Sequence, residues 1–229
     1  MIIAKIIAFL PMKSSWRGGI YKLFNRMTIG HNFKMGFGSY IDANEIVIGD
    51  NAVIGNLVRI KLLDRFFMGN DCSIGSSTII CGSYVANKFA ERDFVCGDNV
   101  RILSSHYFDV VAPITIGNFV TIAGKWTQFY THSFDLVPNR MDGGISIGNR
   151  CYIGAGCLIN LGVNICDNVV LQGGTCVNKS ITEPGVYASQ SFYRRGDVRQ
   201  YNAIAAGCPH KKLDSGISVY LRKGTIYEK

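Results

Sequence analysis

Four histidines, His31, His106, His132 and His210, are the side chains of this chain that exchange protons near neutral pH. An imidazole with the usual pKa of ~6.5 can take the proton of a hydroxyl group while that oxygen attacks a carbonyl carbon. His132 is the strongest candidate, because the segment from it to Gly144 holds one proline and two glycines and interrupts a regular sequence pattern. Loops of this kind build clefts on regular surfaces, so we expect the chemistry at His132.

His106 competes with His132 for this role. The segments S-S-H-Y-F-D, at 104–109, and Y-T-H-S-F-D, at 130–135, share the pattern H-x-F-D. The sequence leaves open whether His106 positions a substrate, serves the structure or is itself the base. The surroundings of His31 and His210 do not point to a function.

These residues lie in a chain dominated by a six-residue repeat. From Ile147 the sequence reads I-G-N-R-C-Y, I-G-A-G-C-L, I-N-L-G-V-N, I-C-D-N-V-V, L-Q-G-G-T-C and V-N-K-S-I-T. The same period recurs upstream in shifted phases that begin at Ile29, Ile48, Met68, Cys96 and Ile116. The phase from Ile116 is expected to place Gln128 at an inward position. Because a helix would scatter such positions around its axis, the period predicts short strands and tight turns that form triangular coils of about 18 residues.

The composition agrees with stacked coils. Glycine makes up 26 of 229 residues, against a usual level of about 7%. Glycine, Asn and Asp would form the turns, while the aliphatic residues fill a continuous core. The eight cysteines are interpreted as reduced thiols, and Cys72, Cys151 and Cys157 occupy a small-residue position of the repeat, where we expect them to be buried.

The repeats resemble the left-handed parallel β-helix of the hexapeptide-repeat acyltransferases, especially the branch that O-acetylates sugars and polysaccharides. The resemblance implies an all-β fold with short N-terminal helical and C-terminal extensions. The expected organisation is an apolar and basic, helical segment at 1–28, a β-helix acyltransferase domain at 29–182 with a loop at 133–146, and a C-terminal extension at 183–229.

The resemblance also implies an activity: direct transfer of an acetyl group from acetyl-CoA to a sugar hydroxyl of a surface polysaccharide or lipid-linked glycan, with a histidine general base. The pair Thr131-His132 matches the position of that base. His132 and Asp135 are therefore the expected catalytic residues. A backbone carbonyl or an acid from an adjacent coil could replace Asp135 as the acceptor for the second ring nitrogen. The residues expected to contact the acceptor are His106, Tyr130 and Arg140.

The resemblance also implies which residues contact the acyl donor, when the repeats of this chain are aligned with those of the family. The positions expected along acetyl-CoA are Tyr152, Ala155, Gly173, Asn178 and Lys179. The adenine site stays unassigned, because the segment at 185–193 departs from the family pattern. The resemblance further implies that the protein is a homotrimer and that it uses no metal ion.

Charge and chain ends limit the partners. The net charge of +8 favours an anionic partner, such as CoA phosphates or a membrane surface, and no basic–aromatic motif indicates nucleic acid. The sequence holds no apolar run long enough to span a membrane. Residues 1–24 favour either a helix packed on the first coil or on a neighbouring subunit, or an interfacial helix at the inner face of a membrane. A cytoplasmic location is expected, with peripheral membrane contact as the alternative.

Two other functions are compatible with such repeats. One is a non-catalytic scaffold, because a fold does not by itself fix a function. The other is a γ-class carbonic anhydrase-like metalloenzyme, which needs three imidazoles around one metal, two of them in H-x4-H spacing. Val137 occupies the position where that second histidine would follow His132, which disfavours this alternative.

Overall fold

The computed structural model describes residues 7–21, 27–84, 91–134, 140–189, 210–212 and 218–220. The chain divides into two compact units, Met1–Ser189 and Gln190–Lys229. In the first unit the structure describes helix α1 and strands β1 to β22. Helix α1 is Ser14–Tyr21, and the first strands are β1 Met27–Ile29, β2 Lys34–Met35, β3 Tyr40–Ile48, β4 Val53–Ile54, β5 Arg59–Met68, β6 Ser73–Ile74, β7 Ile79–Cys81, β8 Asp93–Cys96, β9 Arg101–Ile102, β10 Tyr107–Asp109 and β11 Ile114–Ile116.

The later strands of this unit have two or three residues each. They are β12 Thr121–Ile122, β13 Gln128–Tyr130, β14 His132–Phe134, β15 Arg140–Asp142, β16 Ile145–Ile147, β17 Tyr152–Ile153, β18 Leu158–Ile159, β19 Asn164–Ile165, β20 Val169–Leu171, β21 Cys176–Val177 and β22 Gly185–Tyr187.

Parallel pairing between successive coils arranges these strands on three faces of a prism. Face A contains β2, β4, β6, β9, β12, β17, β20 and β22. Face B contains the first part of β3 and of β5, then β7, β10, β13, β18 and β21, and face C contains β1, the second part of β3 and of β5, then β8, β11, β16 and β19. The chain runs from A to B to C in each coil, so it turns at an AB, a BC and a CA corner. The predicted parallel coils are thereby confirmed.

The core is the column of side chains that point into the prism. Most of the short strands bury one or two residues, and these residues are mostly Ile, Val, Leu and Met. Four phenylalanine rings extend this column through the middle coils: Phe66, Phe94, Phe108 and Phe129, with ring centroids of neighbours 4.5–5.9 Å apart. Cys72, Cys151 and Cys157 are buried as expected. The stacked rings of Phe108 and Phe129 fix the positions of the next residues, Asp109 and Tyr130, with which β10 and β13 end.

The CA corner explains six of the 26 glycines. Each coil carries there an Asp or Asn whose side-chain oxygen accepts the backbone N–H of the coil below: Asp50, Asn70, Asp98, Asn118, Asn149 and Asp167. This ladder occupies the space beside the preceding glycine of the lower coil. A Cβ atom on Gly49, for example, would lie 2.6 Å from Oδ1 of Asn70. A larger residue is therefore excluded by the ladder itself.

One inward position was predicted wrongly. Gln128 is exposed and Phe129 is fully buried, so the phase from Ile116 does not continue to Gln128. The inner residues Ile122 and Phe129 are seven positions apart, because one additional residue bulges at the AB corner between them.

The N-terminal residues from Ile7 close one end of the prism. Ile7 and Ala8 are buried, and the Ala8 carbonyl accepts the N–H of Gly38. The Arg17 side chain of α1 is buried and donates to the carbonyl of Met35. These contacts match the alternative of a helix packed on the first coil. No helix among the described residues is long and apolar enough to cross a membrane.

In the second unit the structure describes two short strands, β23, His210–Lys212, and β24, Ser218–Tyr220, which pair antiparallel. Cys208 lies outside the described residues.

Candidate active site

The BC corner is where the regular coil is most strongly interrupted near a histidine. Between β13 on face B and β16 on face C the chain leaves the prism as an antiparallel hairpin of β14 and β15, in which His132 pairs with Asp142. One coil below, β10 ends at Asp109 at the same corner, because Asp109 pairs with Tyr130 of β13. The hairpin therefore emerges directly above Asp109.

Thr131 joins the two coils at this point. Its buried hydroxyl accepts the backbone N–H groups of Val111 and Ala112, at 2.9 and 3.0 Å, and donates to the Asp109 carbonyl at 2.8 Å. The N–H of Thr131 donates to Oδ2 of Asp109 at 3.1 Å. These bonds fix the Asp109 backbone and carboxylate relative to the start of the hairpin.

His132 then places its ring against the same carboxylate. Nδ1 of His132 lies 2.7 Å from Oδ2 of Asp109, and the two side chains are 31% and 7% exposed. A carboxylate oxygen can only accept, so Nδ1 must carry the proton and Nε2 is the basic nitrogen of the neutral ring. The arrangement is an imidazole whose tautomer and orientation are set by a shielded carboxylate.

Other residues expected at this site have mixed placements. Tyr130 lies on the outer side of face B, its ring 5.7 Å from that of Tyr107, and its hydroxyl donates to Gln128. Arg140 lies on the hairpin opposite Phe134, and its Nε donates to Oδ1 of Asp142 at 2.7 Å. Both therefore share the neighbourhood of His132. Asp135 lies outside the described residues.

His106 is not brought together with His132. It lies in the coil below, facing Thr127, whose N–H donates to Nδ1 of His106 at 3.2 Å. The side chain is 2% exposed, and burial lowers the pKa of His106 to about 4, so the ring is neutral at neutral pH. Of the roles left open for His106, this placement favours the structural one, because a buried ring cannot contact the acceptor substrate.

The residues expected along acetyl-CoA fall into two groups. Ala155 and Gly173 stack at the AB corner, where the Ala155 carbonyl accepts the N–H of Gly174, and Tyr152 is exposed on face A just before this corner. Asn178 and Lys179 are exposed after β21, at the other edge of face B.

A polar line on face B connects one of these groups with the base. Tyr130 lies above Asp109, and Asn160 follows in the next coil, because its neighbour Ile159 pairs with Phe129. Asn160 donates in turn to Asn178. The line runs outside the prism from Asp109 to Asn178, so the candidate donor residue Asn178 shares a face with the candidate base.

Asp109 is the residue that sequence reasoning did not single out. A signal was present, because Asp109 is the aspartate of the first H-x-F-D segment. Only the coil register shows that Asp109 lies beneath Tyr130 and within reach of His132. It corresponds to the acid from an adjacent coil, one of the acceptors left open for the second ring nitrogen.

The fold and the site together define a parallel β-helix of hexapeptide repeats with a histidine–carboxylate pair at an interrupted corner. No protein-family model matches the chain. Curated relatives include the UDP-3-O-acylglucosamine N-acyltransferases of Bordetella avium and Bordetella pertussis, each 29% identical over 149 residues, which cover 63% of this chain. The match covers 34% of the length of those relatives.

A solved structure gives the same answer for the fold. The structure of LpxA, a UDP-N-acetylglucosamine acyltransferase from Bacteroides fragilis, superposes with a TM-score of 0.51 at 21% sequence identity and covers 69% of this chain and 65% of that one. The predicted left-handed parallel β-helix is thereby confirmed. The sequence similarity to the curated relatives confirms the resemblance to acyltransferases.

Proposed function

We propose that the protein transfers an acetyl group from acetyl-CoA to a sugar hydroxyl of a surface polysaccharide or lipid-linked glycan, with His132 as the general base. The observation that carries the proposal is the hydrogen bond between Nδ1 of His132 and the shielded carboxylate of Asp109 at the interrupted BC corner. The similarity to acyltransferases named for glucosamine derivatives supports an acyl donor and a sugar acceptor.

The reaction needs one proton relay and no covalent enzyme intermediate. Nε2 of His132 accepts the proton of the sugar hydroxyl while that oxygen attacks the thioester carbonyl carbon. The tetrahedral intermediate collapses as the carbon–sulfur bond breaks, and the imidazolium returns its proton to the leaving CoA thiolate. Asp109 acts as a positioning residue, because its carboxylate holds the ring and stabilises the imidazolium that forms.

The substrates would meet at the BC corner. Tyr130 and Arg140 flank His132 and are the proposed acceptor contacts, with Asp135 as a further candidate catalytic residue. The donor would extend over face B, between Asn178 and Lys179 at one edge and Tyr152, Ala155 and Gly173 at the other. A prism face is flat, and a neighbouring subunit of a homotrimer would supply the second wall of such a cleft.

The test is a transfer assay on the purified protein. Acetyl-CoA is incubated with a panel of sugars and glycans, CoA thiol release is followed, and the product is treated with mild alkali. We expect thiol release that depends on one acceptor class and a product whose acetyl group is removed by alkali, because it is an ester. A protein that binds no acetyl-CoA would contradict the proposal and fit a scaffold.

Transfer to an amino group is the second candidate, and the names of the curated relatives favour it, since both are N-acyltransferases. The same His132–Asp109 pair could take a proton from an ammonium or amine acceptor. The alkali treatment separates the two, because an amide product keeps its acetyl group. An alkali-stable product formed only with amino sugars would replace the ester proposal.

A further inference from the structure

The coil that carries His132 is one residue longer than its neighbours at the AB corner. Its inner residues Ile122 and Phe129 are seven positions apart, while the coils below and above use six: Ile102 to Phe108, and Ile153 to Ile159. Since the inner residues stay in register, the additional residue must be accommodated outside the prism. It bulges within residues 123–127.

This bulge presents an aromatic ring and an ammonium group to solvent. Trp126 is 69% exposed, and Lys125 beside it is also exposed. The backbone of Trp126 has φ of 69°, a left-handed conformation that glycine adopts at a lower energetic cost than a bulky side chain. In the next two coils glycine occupies this position of the corner, at Gly156 and Gly174. The chain therefore keeps a tryptophan where neither burial nor backbone geometry favours one.

The bulge is held firmly by the coils on either side. The N–H of Trp126 donates to the Ser105 carbonyl at 3.0 Å, and the Lys125 carbonyl accepts the N–H of Gly156 at 2.9 Å. Ala155 lies directly above, so close to Gly124 that a Cβ atom there would clash with it. Trp126 and Lys125 thus lie on a fixed backbone next to Ala155, a proposed donor contact.

We propose that Trp126 and Lys125 bind the nucleotide end of the acyl-CoA donor, with the indole stacked on the adenine and the ammonium group near a phosphate. The inference rests on the proposed function. An aromatic ring next to a cation suits a phosphorylated purine, because one provides a stacking surface and the other pairs with the phosphate. The two residues lie six or seven positions before His132, at most about 25 Å along an extended chain, a span that an extended pantetheine arm can bridge.

The first experiment uses tryptophan fluorescence. The chain has two tryptophans, so Trp16→Phe leaves Trp126 as the sole indole. In this background we expect CoA and adenosine 3′,5′-bisphosphate to quench the emission and pantetheine to leave it unchanged. Quenching by pantetheine, or by the sugar acceptor but not by CoA, would assign the ring to another part of the substrates and overturn the inference.

The second experiment uses Trp126→Gly with a matched control. Glycine suits the left-handed φ, so the variant is expected to melt no lower than the wild type, yet to bind CoA about tenfold more weakly. Phe119→Gly is the control, because Phe119 has φ of 57° and is exposed at the CA corner. It should keep wild-type affinity. Lys125→Gln should weaken CoA binding about threefold, because the ion pair with a phosphate is lost.

The outcomes separate this inference from the proposed function. If the wild type binds CoA and transfers acetyl groups while Trp126→Gly keeps full affinity, the inference is wrong and the proposed function stands. If the wild type binds no CoA, both are wrong. A loss of CoA affinity that accompanies a changed oligomeric state of Trp126→Gly would assign the ring to subunit packing and overturn the inference.

Discussion

Among the residues that the structure describes, two histidine–aspartate pairs join adjacent coils of the prism, and they differ in their surroundings. At the regular CA corner Nδ1 of His31 lies 3.1 Å from Oδ1 of Asp50, and the side chains are 88% and 50% exposed. At the interrupted BC corner the distance from His132 to Asp109 is 2.7 Å, and the carboxylate is 7% exposed. Water screens the first pair, whereas shielding strengthens the second and fixes its ring. The residue types alone therefore do not distinguish the candidate base from the exposed pair; the hairpin over the acid does.

The largest expected effect comes from removing the two imidazoles in turn. We expect His132→Ala to lower kcat by about 10²- to 10⁴-fold, because the general base is lost, and His31→Ala to stay within about twofold of wild type. CoA thiol release with the acceptor found in the panel measures both, and circular dichroism checks the fold. If His106→Thr abolishes transfer and His132→Ala does not, the base must be reassigned to His106.

The acids of the two pairs give the next largest difference. Asparagine at position 109 can still accept the N–H of Thr131, so Asp109→Asn should fold normally. Its neutral amide, however, cannot stabilise the positive charge of an imidazolium. We expect kcat to fall about 10- to 100-fold with an unchanged KM for acetyl-CoA. Asp50→Asn is the matched control and should keep wild-type kcat. Equal losses in both variants would mean that the shielding of Asp109 has no catalytic consequence.

His106 sharpens the comparison because it is buried and no acid among the described residues pairs with it. Burial lowers its pKa to about 4, whereas the unfolded chain takes up a proton near ~6.5. The unfolded state therefore binds more protons between these values, and stability is full above ~6.5 and is lost as the pH falls toward 4. From pH 7 to pH 5 this single group should cost about 2 kcal/mol of unfolding free energy.

The measurement for His106 is urea unfolding at both pH values. His106→Thr places there the residue found in the adjacent coils, at Thr78 and Thr127, and should remove this share of the pH dependence even if the variant is less stable at pH 7. His31→Ala should retain it. An unchanged pH slope in His106→Thr would show that the ring is not buried neutral in solution.

The repeat predicted most of the fold because each coil repeats one local rule. An aliphatic residue at every sixth position points inward, and Gly or Asx turns the corner, so the positions from Ile147 to Val177 were correct throughout. The rule failed at Gln128, where one additional residue bulges outward and leaves Phe129 as the inner residue. Carrying the six-residue period forward does not show where an additional residue is accommodated outside the prism.

The candidate site was predicted only in part, for a different physical reason. His132 follows from a local signal, the break in the repeat, and Thr131 accompanies it. Asp109 is 23 positions away, and its contact depends on how many residues the coil between them contains. His106 shares a motif with His132 but faces the core, because it lies before β10 at the AB corner, in register with Thr127, whereas His132 follows β13 at the BC corner. Predicting contacts between coils therefore requires knowing which residues of adjacent coils pair, and a short motif does not give that pairing.

The smallest effect is expected from changing Asp50, which belongs both to the exposed pair and to the ladder at the CA corner. Oδ1 of Asp50 accepts the backbone N–H of His31 as well as contacting its ring. Asp50→Ala breaks one step of the ladder, but water can replace the lost bond at this exposed corner, so the unfolding free energy should fall by less than about 1 kcal/mol. Transfer activity should stay at the wild-type level. A loss of activity in Asp50→Ala that exceeds its loss of stability would mean that the CA corner takes part in the reaction, and the contrast between the two pairs would fail.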